Sequence, residues 1–219
     1  MSESLLSWCN DIPESELGGV LQAAMHGAAR GLSGLAGHPI HVTTPRLETV
    51  PIAQVATHAG DPETEVVGIY LMMEGDCSGQ AILMLSLTSA LNLADVLLNV
   101  PPGTSTHLGE MERSALAEAG NLMVSYFLNA VATFLKKPRQ LQPSPPTVMV
   151  DMLGAVLDVV TTPVAAVSDD LMIVEAAFTQ GANTNGGSDR AIRVHFWVLP
   201  DAAQIRHASS KLAGSEHTH

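Results

Sequence analysis

Between Leu17 and Gly37 the chain reads LGGVLQAAMHGAARGLSGLAG, a stretch in which apolar and small residues recur without a proline. Its glycines carry a propensity cost but suit a helix pressed closely against a neighbour. Pro39 and Pro45 end that pattern. IHVTT, RLETVPI and VVGIYLMME follow with β-branched residues in partial alternation, and GDCSG turns the chain into QAILMLSL. These runs read as strands. Thr88 or Ser89 is placed to cap a helix over SALNLADVLLN, after which VPPGTS closes the segment.

The same order then returns. GEMERSALAEAGNLMVSYFLNAVATFLKK is a long amphipathic run with acids at its start and Lys136 and Lys137 at its end, as the helix dipole favours, before Pro138. PSPP leads into TVMVDM, an apolar stretch LGAVLDVVTTPVAAV, the strand-like LMIVEAAFTQ, a turn GANTNGGSD, the strand AIRVHFWVL and a last helix after Pro200, DAAQIRHASSKL. A period of about 100 residues is too long for a solenoid and indicates duplication of one unit. The expected halves are 14–103 and 107–212, with a frayed tail over 213–219. Hairpin turns favour antiparallel pairing with helices over one face of the sheet, so the expected class is α+β. Each half alone would have a small core, which favours one fused pseudo-two-fold domain over 1–219.

Composition sharpens the picture without changing it. The chain has 219 residues, 46% of them apolar and 15% charged, enough to bury a sizeable core. Its formal net charge is −12, and its ten Lys and Arg are too few for the clustered basic patch that nucleic acid or an anionic membrane requires. A basic or metal-loaded protein is an easier partner. The first twenty residues carry Glu3, Asp11, Glu14 and Glu16 with no Lys or Arg, unlike a signal peptide, and no apolar run reaches the length of a bilayer span. Cys9 and Cys77 lie far apart without metal-ligand spacing. The expectation is a reduced, cytoplasmic protein with no membrane insertion.

Most candidate chemistries find no support in the pattern. His38 and His41 are three apart and His107, His195, His207, His217 and His219 are scattered, so no metal site is expected. Cys77 has no nucleophile elbow, Cys9 has no base partner, and the glycine-rich GANTNGG and GLSGLAG lack the lysine of a phosphate loop. The long second helix is more informative. At 100° per residue, Ser114, Glu118, Asn121, Ser125 and Asn129 fall within about an 80° stripe, opposite Leu116, Met123, Phe127 and Phe134. The plain reading is an ordinary solvated face. The functional one is a carboxylate and an amide held side by side on a rigid element, one to engage a partner's cation and the other to position a water.

Ser114-x3-Glu118-x2-Asn121, followed by Pro146 and TVMVDMLGAVLDVV, resembles the signature of the CheC/CheX/FliY family of response-regulator phosphatases. In that signature an Asp or Ser, a Glu and an Asn are followed after about 22 residues by a Pro. Here 24 residues separate Asn121 from Pro146, an insertion around Lys137–Leu141 that a loop accommodates at little cost. In the first half, counting back from Pro45 puts Gln22, Gly19 and Ser15 at the corresponding positions, so that site lacks its carboxylate and reads as degenerate.

The resemblance implies dephosphorylation of the phospho-aspartate of a CheY-type response regulator in two-component chemotaxis signalling. It implies that Asn121 holds the attacking water in line, that Glu118 pairs with the regulator's active-site lysine, and that Ser114 is peripheral. No cofactor of its own is implied, because the regulator brings the Mg²⁺, the lysine and the acylphosphate. The resemblance allows a CheD-like deamidase as a further partner, and an exposed edge strand allows pairing with a second copy of the chain. The rival expectation is a non-catalytic module on the same fold that binds a regulator or another chemotaxis protein. A structural protein of the flagellar switch fits less well, since the duplicated unit uses almost the whole chain.

Overall fold

The computed structural model describes residues 14–75, 78–135, 141–180 and 192–201. The first half of the element order is α1 (Glu14–Ala36), β1 (His41–Val42), β2 (Arg46–Pro51), a 3-10 turn at Ile52–Gln54, α2 (Val55–Ala59), β3 (Glu65–Glu74), β4 (Gly79–Ser86) and α3 (Leu87–Leu97). It continues with α4 (Glu110–Ala132), β5 (Gln142–Pro143), β6 (Thr147–Met152), α5 (Leu153–Ala165), β7 (Asp170–Gln180) and β8 (Ile192–Pro200). The class is α+β, as the hairpin turns suggested: the strands pair antiparallel in one eight-stranded sheet.

Strand pairing interlaces the two halves. β1 and β2 pair with β7, while β5 and β6 pair with β3. Arg46 opposes Glu175 where Thr147 opposes Tyr70, so Tyr70 and Glu175 are counterparts. Tyr70 faces Ile82 and Glu175 faces Trp197 within their hairpins, and Ile82 and Trp197 then face each other across β4 and β8. The pseudo-two-fold axis therefore passes between these two buried side chains.

Side-chain alternation sends Val67, Ile69, Leu71 and Met73 of β3, with Val174, Ala176 and Phe178 of β7, against α1, α3 and α4. The intervening residues supply a second core: Val66, Ile82, Met84, Ile173, Trp197 and Leu199 meet Val55 of α2 and Val156, Leu157 and Val160 of α5. Helices thus lie on both faces of the sheet, where the sequence pattern placed them on one. The stretch LGAVLDVVTTPVAAV is α5, which continues through Pro163. Without a polar stripe strong enough to show a helical period, so apolar a segment does not announce its state.

Local chemistry corrects two further expectations. α3 is capped by Ser86, whose side chain accepts from Ser89 N–H at 3.1 Å, rather than by Thr88 or Ser89. α4 ends at Ala132, short of Lys137, because Thr133 donates its hydroxyl to Ala130 O at 2.7 Å and Thr133 and Phe134 N–H tighten onto carbonyls three residues back. Phe134 consequently lies beyond the helix and is exposed, while Leu116, Met123 and Phe127 are buried as the periodicity required. The turn GANTNGGSD, Cys9, Cys77, the helix expected after Pro200 and the tail lie outside the described residues.

Asp95 organises the link between the halves. It is 1% exposed on α3, and its carboxylate accepts from the N–H groups of Gly103, Thr104 and Ser105 at 2.6, 3.2 and 2.8 Å. Burial alone would raise its pKa, but the hydrogen bonds from Ser105, Gly103 and Thr104 outweigh it and hold the carboxyl below its ordinary value. A depressed folded-state pKa contributes stability above the unfolded value, and this is lost as pH falls through the folded one. Asp95→Asn is expected to cost about 1–3 kcal/mol at neutral pH by leaving buried N–H groups under-satisfied. In acid titrations followed by thermal melts, the gap between variant and wild type should narrow below about pH 4; a constant gap would contradict this account.

Candidate functional site

α4 is set on the sheet by a close approach. A Cβ built at Gly120 would lie 2.6 Å from Ile69 Cγ2 on β3, so only glycine lets the helix sit at that depth. Arg113 ties its first turns to the sheet, donating from Nε to Leu108 O at 3.1 Å and from Nη1 to Val148 O of β6 at 3.4 Å. The Asp95-bound loop delivers the chain to the helix, and Glu112 accepts from Ser105 Oγ at 3.4 Å. The helix is thereby held on its buried side and at its entry.

The stripe predicted from the sequence faces outward. Ser114, Glu118 and Asn129 are exposed, and Asn121 and Ser125 are half-buried at its margin. No hydrogen bond or ion pair joins Glu118 or Asn121 to another side chain among the described residues. Glu110 and Glu112 in the first turn add negative charge at the same end of the helix. Pro146 is half-buried in the turn that leads into β6. Among the described residues no group of three or more His, Cys, Asp or Glu converges as metal ligands.

α1 presents the corresponding face, and its burial pattern fixes the correspondence. Leu17, Val20, Leu21, Ala24 and Met25 are buried on α1 in the spacing of Leu116, Ala119, Gly120, Met123 and Val124 on α4, and Ala28, Ala29 and Leu32 continue it against Phe127, Leu128 and Val131. Gln22 thus stands where α4 has Asn121, Gly19 where it has Glu118 and Ser15 where it has Ser114, all three exposed, with Pro45 half-buried before β2. His26 and Arg30 complete the α1 stripe, so the two faces differ in charge as well as in motif. The helices pack directly, Gly27 against the Tyr126 carbonyl and Ala130 and Gly31 against the Tyr126 ring, whose Cδ2 a built Cβ at Gly31 would approach to 2.8 Å. The pseudo-two-fold axis between the antiparallel β4 and β8 runs across the sheet and reverses α1 into α4, so the two helices are antiparallel.

The other face of the sheet carries a second polar arrangement. Tyr70 donates to Gln80 Oε1 at 3.0 Å, and Gln80 Nε2 donates to Val160 O of α5 at 3.4 Å. At the counterpart positions His195 Nδ1 lies 3.6 Å from Glu175 Oε1 in an open depression that Arg46, Thr43 and Thr44 also line. The neighbouring His195 outweighs burial and lowers the Glu175 pKa. α2 has five residues where α5 has thirteen, which leaves this half uncovered.

Sequence reasoning had singled out the stripe but not Asp95, Arg113 or Gly120, which position it. Asp95 left a trace, a lone acid in the apolar LNLADVLLN just before a PPGTS turn. The glycine contrast is testable. Gly19 has open space around a built Cβ, so Gly19→Ala should raise stability by about 0.5–1 kcal/mol, whereas Gly120→Ala should lower it by about 1–3 kcal/mol. Denaturant titration of the two single variants checks the opposite signs.

Residues 111–150, which include Glu118, Asn121 and Pro146, match the model of the CheC-like family. The chain is 26% identical over 201 residues to the CheY-P phosphatase CheC of Bacillus subtilis, covering 90% of this chain and 93% of that protein. It is also 26% identical over 173 residues to the flagellar motor switch phosphatase FliY of the same organism, spanning 77% of this chain but only 43% of FliY. In fold it resembles the crystal structure of Thermotoga maritima FliY, with a TM-score of 0.66 at 20% identity over 91% of this chain and 96% of that one. It also resembles the CheX–CheY–BeF3–Mg complex from Borrelia burgdorferi, with a TM-score of 0.54 at 14% identity over 83% and 97%. The CheC-like match thus falls on the signature helix and the segment leading to Pro146, within a chain whose sequence is similar to CheC and FliY along most of its length.

Proposed function

We propose that this protein accelerates hydrolysis of the phospho-aspartate of a CheY-type response regulator in the cytoplasm, using Glu118 and Asn121. The observation that carries the reading is the outward stripe of α4, where an exposed carboxylate and an amide one turn apart make no bond to another described side chain. Both are available to a docked partner. The kinship with CheC and FliY, whose names state phosphatase activity, supplies the reaction class.

An aspartyl phosphate is a mixed anhydride that already hydrolyses unaided. Water attacks phosphorus, the P–O bond to the aspartyl carboxylate breaks, and free aspartate and inorganic phosphate result. The catalyst need only fix the water in line and stabilise charge. The Asn121 carboxamide suits the first task, its oxygen accepting from the water while its N–H₂ donates toward the phosphoryl oxygens. Glu118 suits docking, because a carboxylate accepts charge-assisted hydrogen bonds from the regulator's lysine ammonium. The Mg²⁺ belongs to the regulator. On α1, Gly19 supplies no carboxylate and Arg30 would repel the same lysine, so one working face is proposed, with the motif at Ser15, Gly19 and Gln22 inactive.

The test is the decay of a phosphorylated regulator from the same genome with and without the protein. Asn121→Ala should remove the acceleration while changing stability by less than about 0.5 kcal/mol, and Gln22→Ala should leave the rate unchanged. If wild type binds the phosphorylated regulator without speeding its decay, the protein is a binding module instead. Equal damage from Gln22→Ala would refute the single working face.

A further inference from the structure

Met111 is 68% exposed, more than any other large apolar side chain among the described residues. It lies on the first turns of α4, seven residues before Glu118. Around the helix it is within about 20° of Glu118, and along the axis about 10 Å away, so both side chains project from the same side. A single exposed apolar residue needs no special account. Its place on this stripe gives it one.

Among the described residues Met111 takes no part in the packing of the fold. α4 buries its other side through Leu116, Ala119, Met123 and Phe127, and Met111 belongs to neither hydrophobic core nor to the apolar residues packed around them. Its surroundings are acidic and polar: Glu110, Ser114 and Glu118 are exposed and Glu112 is half-buried. An apolar spot within such a rim is the arrangement of a protein–protein contact, where the apolar anchor supplies affinity and the rim charges fix register. The acids repel nucleic acid and anionic lipid, and a convex helix ridge offers a small molecule no concavity. An unbranched thioether adapts readily to an apolar hollow. The charge complement is a surface that carries a lysine.

We infer that Met111 is a docking residue for the phosphorylated response regulator, seated in an apolar hollow beside the regulator's active-site lysine while Glu118 engages that lysine. The inference deepens the proposed phosphatase reading and rests on it. It assigns binding and chemistry to different parts of one stripe, Met111 to affinity and Asn121 to the hydrolytic step.

Two measurements on the full-length protein decide it. One is the affinity for the regulator loaded with Mg²⁺ and beryllofluoride, a stable stand-in for the phosphoryl group. The other is phospho-regulator decay at rising concentrations of the protein. Met111→Ala should weaken binding about tenfold and raise the half-saturating concentration to match, with the plateau rate within about twofold of wild type. Met111→Leu should retain affinity, whereas the equally long but polar Met111→Gln should behave like the alanine variant, and Asn121→Ala should fail to accelerate decay even at saturating concentration. Unchanged affinity in both Met111→Ala and Met111→Gln would overturn the assignment of Met111, as would a reduced plateau at unchanged half-saturation; acceleration by wild type would in either case leave the phosphatase reading intact. Wild type that binds without accelerating would sink the phosphatase reading alone, with the affinity series still deciding Met111. Wild type that neither binds nor accelerates would sink both.

Discussion

The reciprocal exchange of strands between the two halves is the constraint on which the rest depends. β1 and β2 complete the sheet of the β7–β8 hairpin, β5 and β6 complete that of β3–β4, and the two hairpins join along β4 and β8. Neither half owns a finished sheet. The helices inherit their positions from this arrangement, because α1 and α4 each enter from one half and cover strands of both. With Ile82 and Trp197 buried on the pseudo-axis, a change at either is felt by both hairpins at once.

That symmetry of backbone supports an asymmetry of chemistry. The long-helix face holds a carboxylate and an amide on α4 and a glycine and a glutamine on α1. The opposite face holds a Tyr70–Gln80 pair under α5 and a Glu175–His195 pair left open beside the shorter α2. In the second case the physics is direct: an ionisable pair stays solvated where cover is missing, and a neutral pair bonds to a helix carbonyl where cover is present. Duplication set the positions, and local exposure governs which side chains they tolerate.

Much of this was legible in the residues. The duplicated order, the antiparallel hairpins and the presented face of α4 followed from period and turn chemistry, and the glycines of α1 do face a close helix neighbour, at Gly27 and Gly31. What was not legible depends on tertiary contact. α5 carries no strong polar stripe and a mid-helix proline, so its helical state comes from packing against Val66 and Trp197. The cap moved to Ser86 because β4 delivers that residue, not Thr88, in an extended conformation at the helix start. The exposure of Met111 is a matter of which neighbours fail to arrive, and no pattern along one chain records an absence.

The antiparallel crossing of α1 on α4 has a consequence for valency. The packed region lies between Gly27 and Gly31 on one helix and Tyr126 and Ala130 on the other, so Gln22 and Asn121 stand toward opposite ends of the pair. Their separation along the axis is on the order of 20 Å. Two intact motifs on this scaffold would serve two separate regulators, never the two sides of one. With the single working face proposed above, the geometry of the α4 face stands by itself, and one molecule would hold one regulator at a time, with no crosslinking and no avidity from a clustered array.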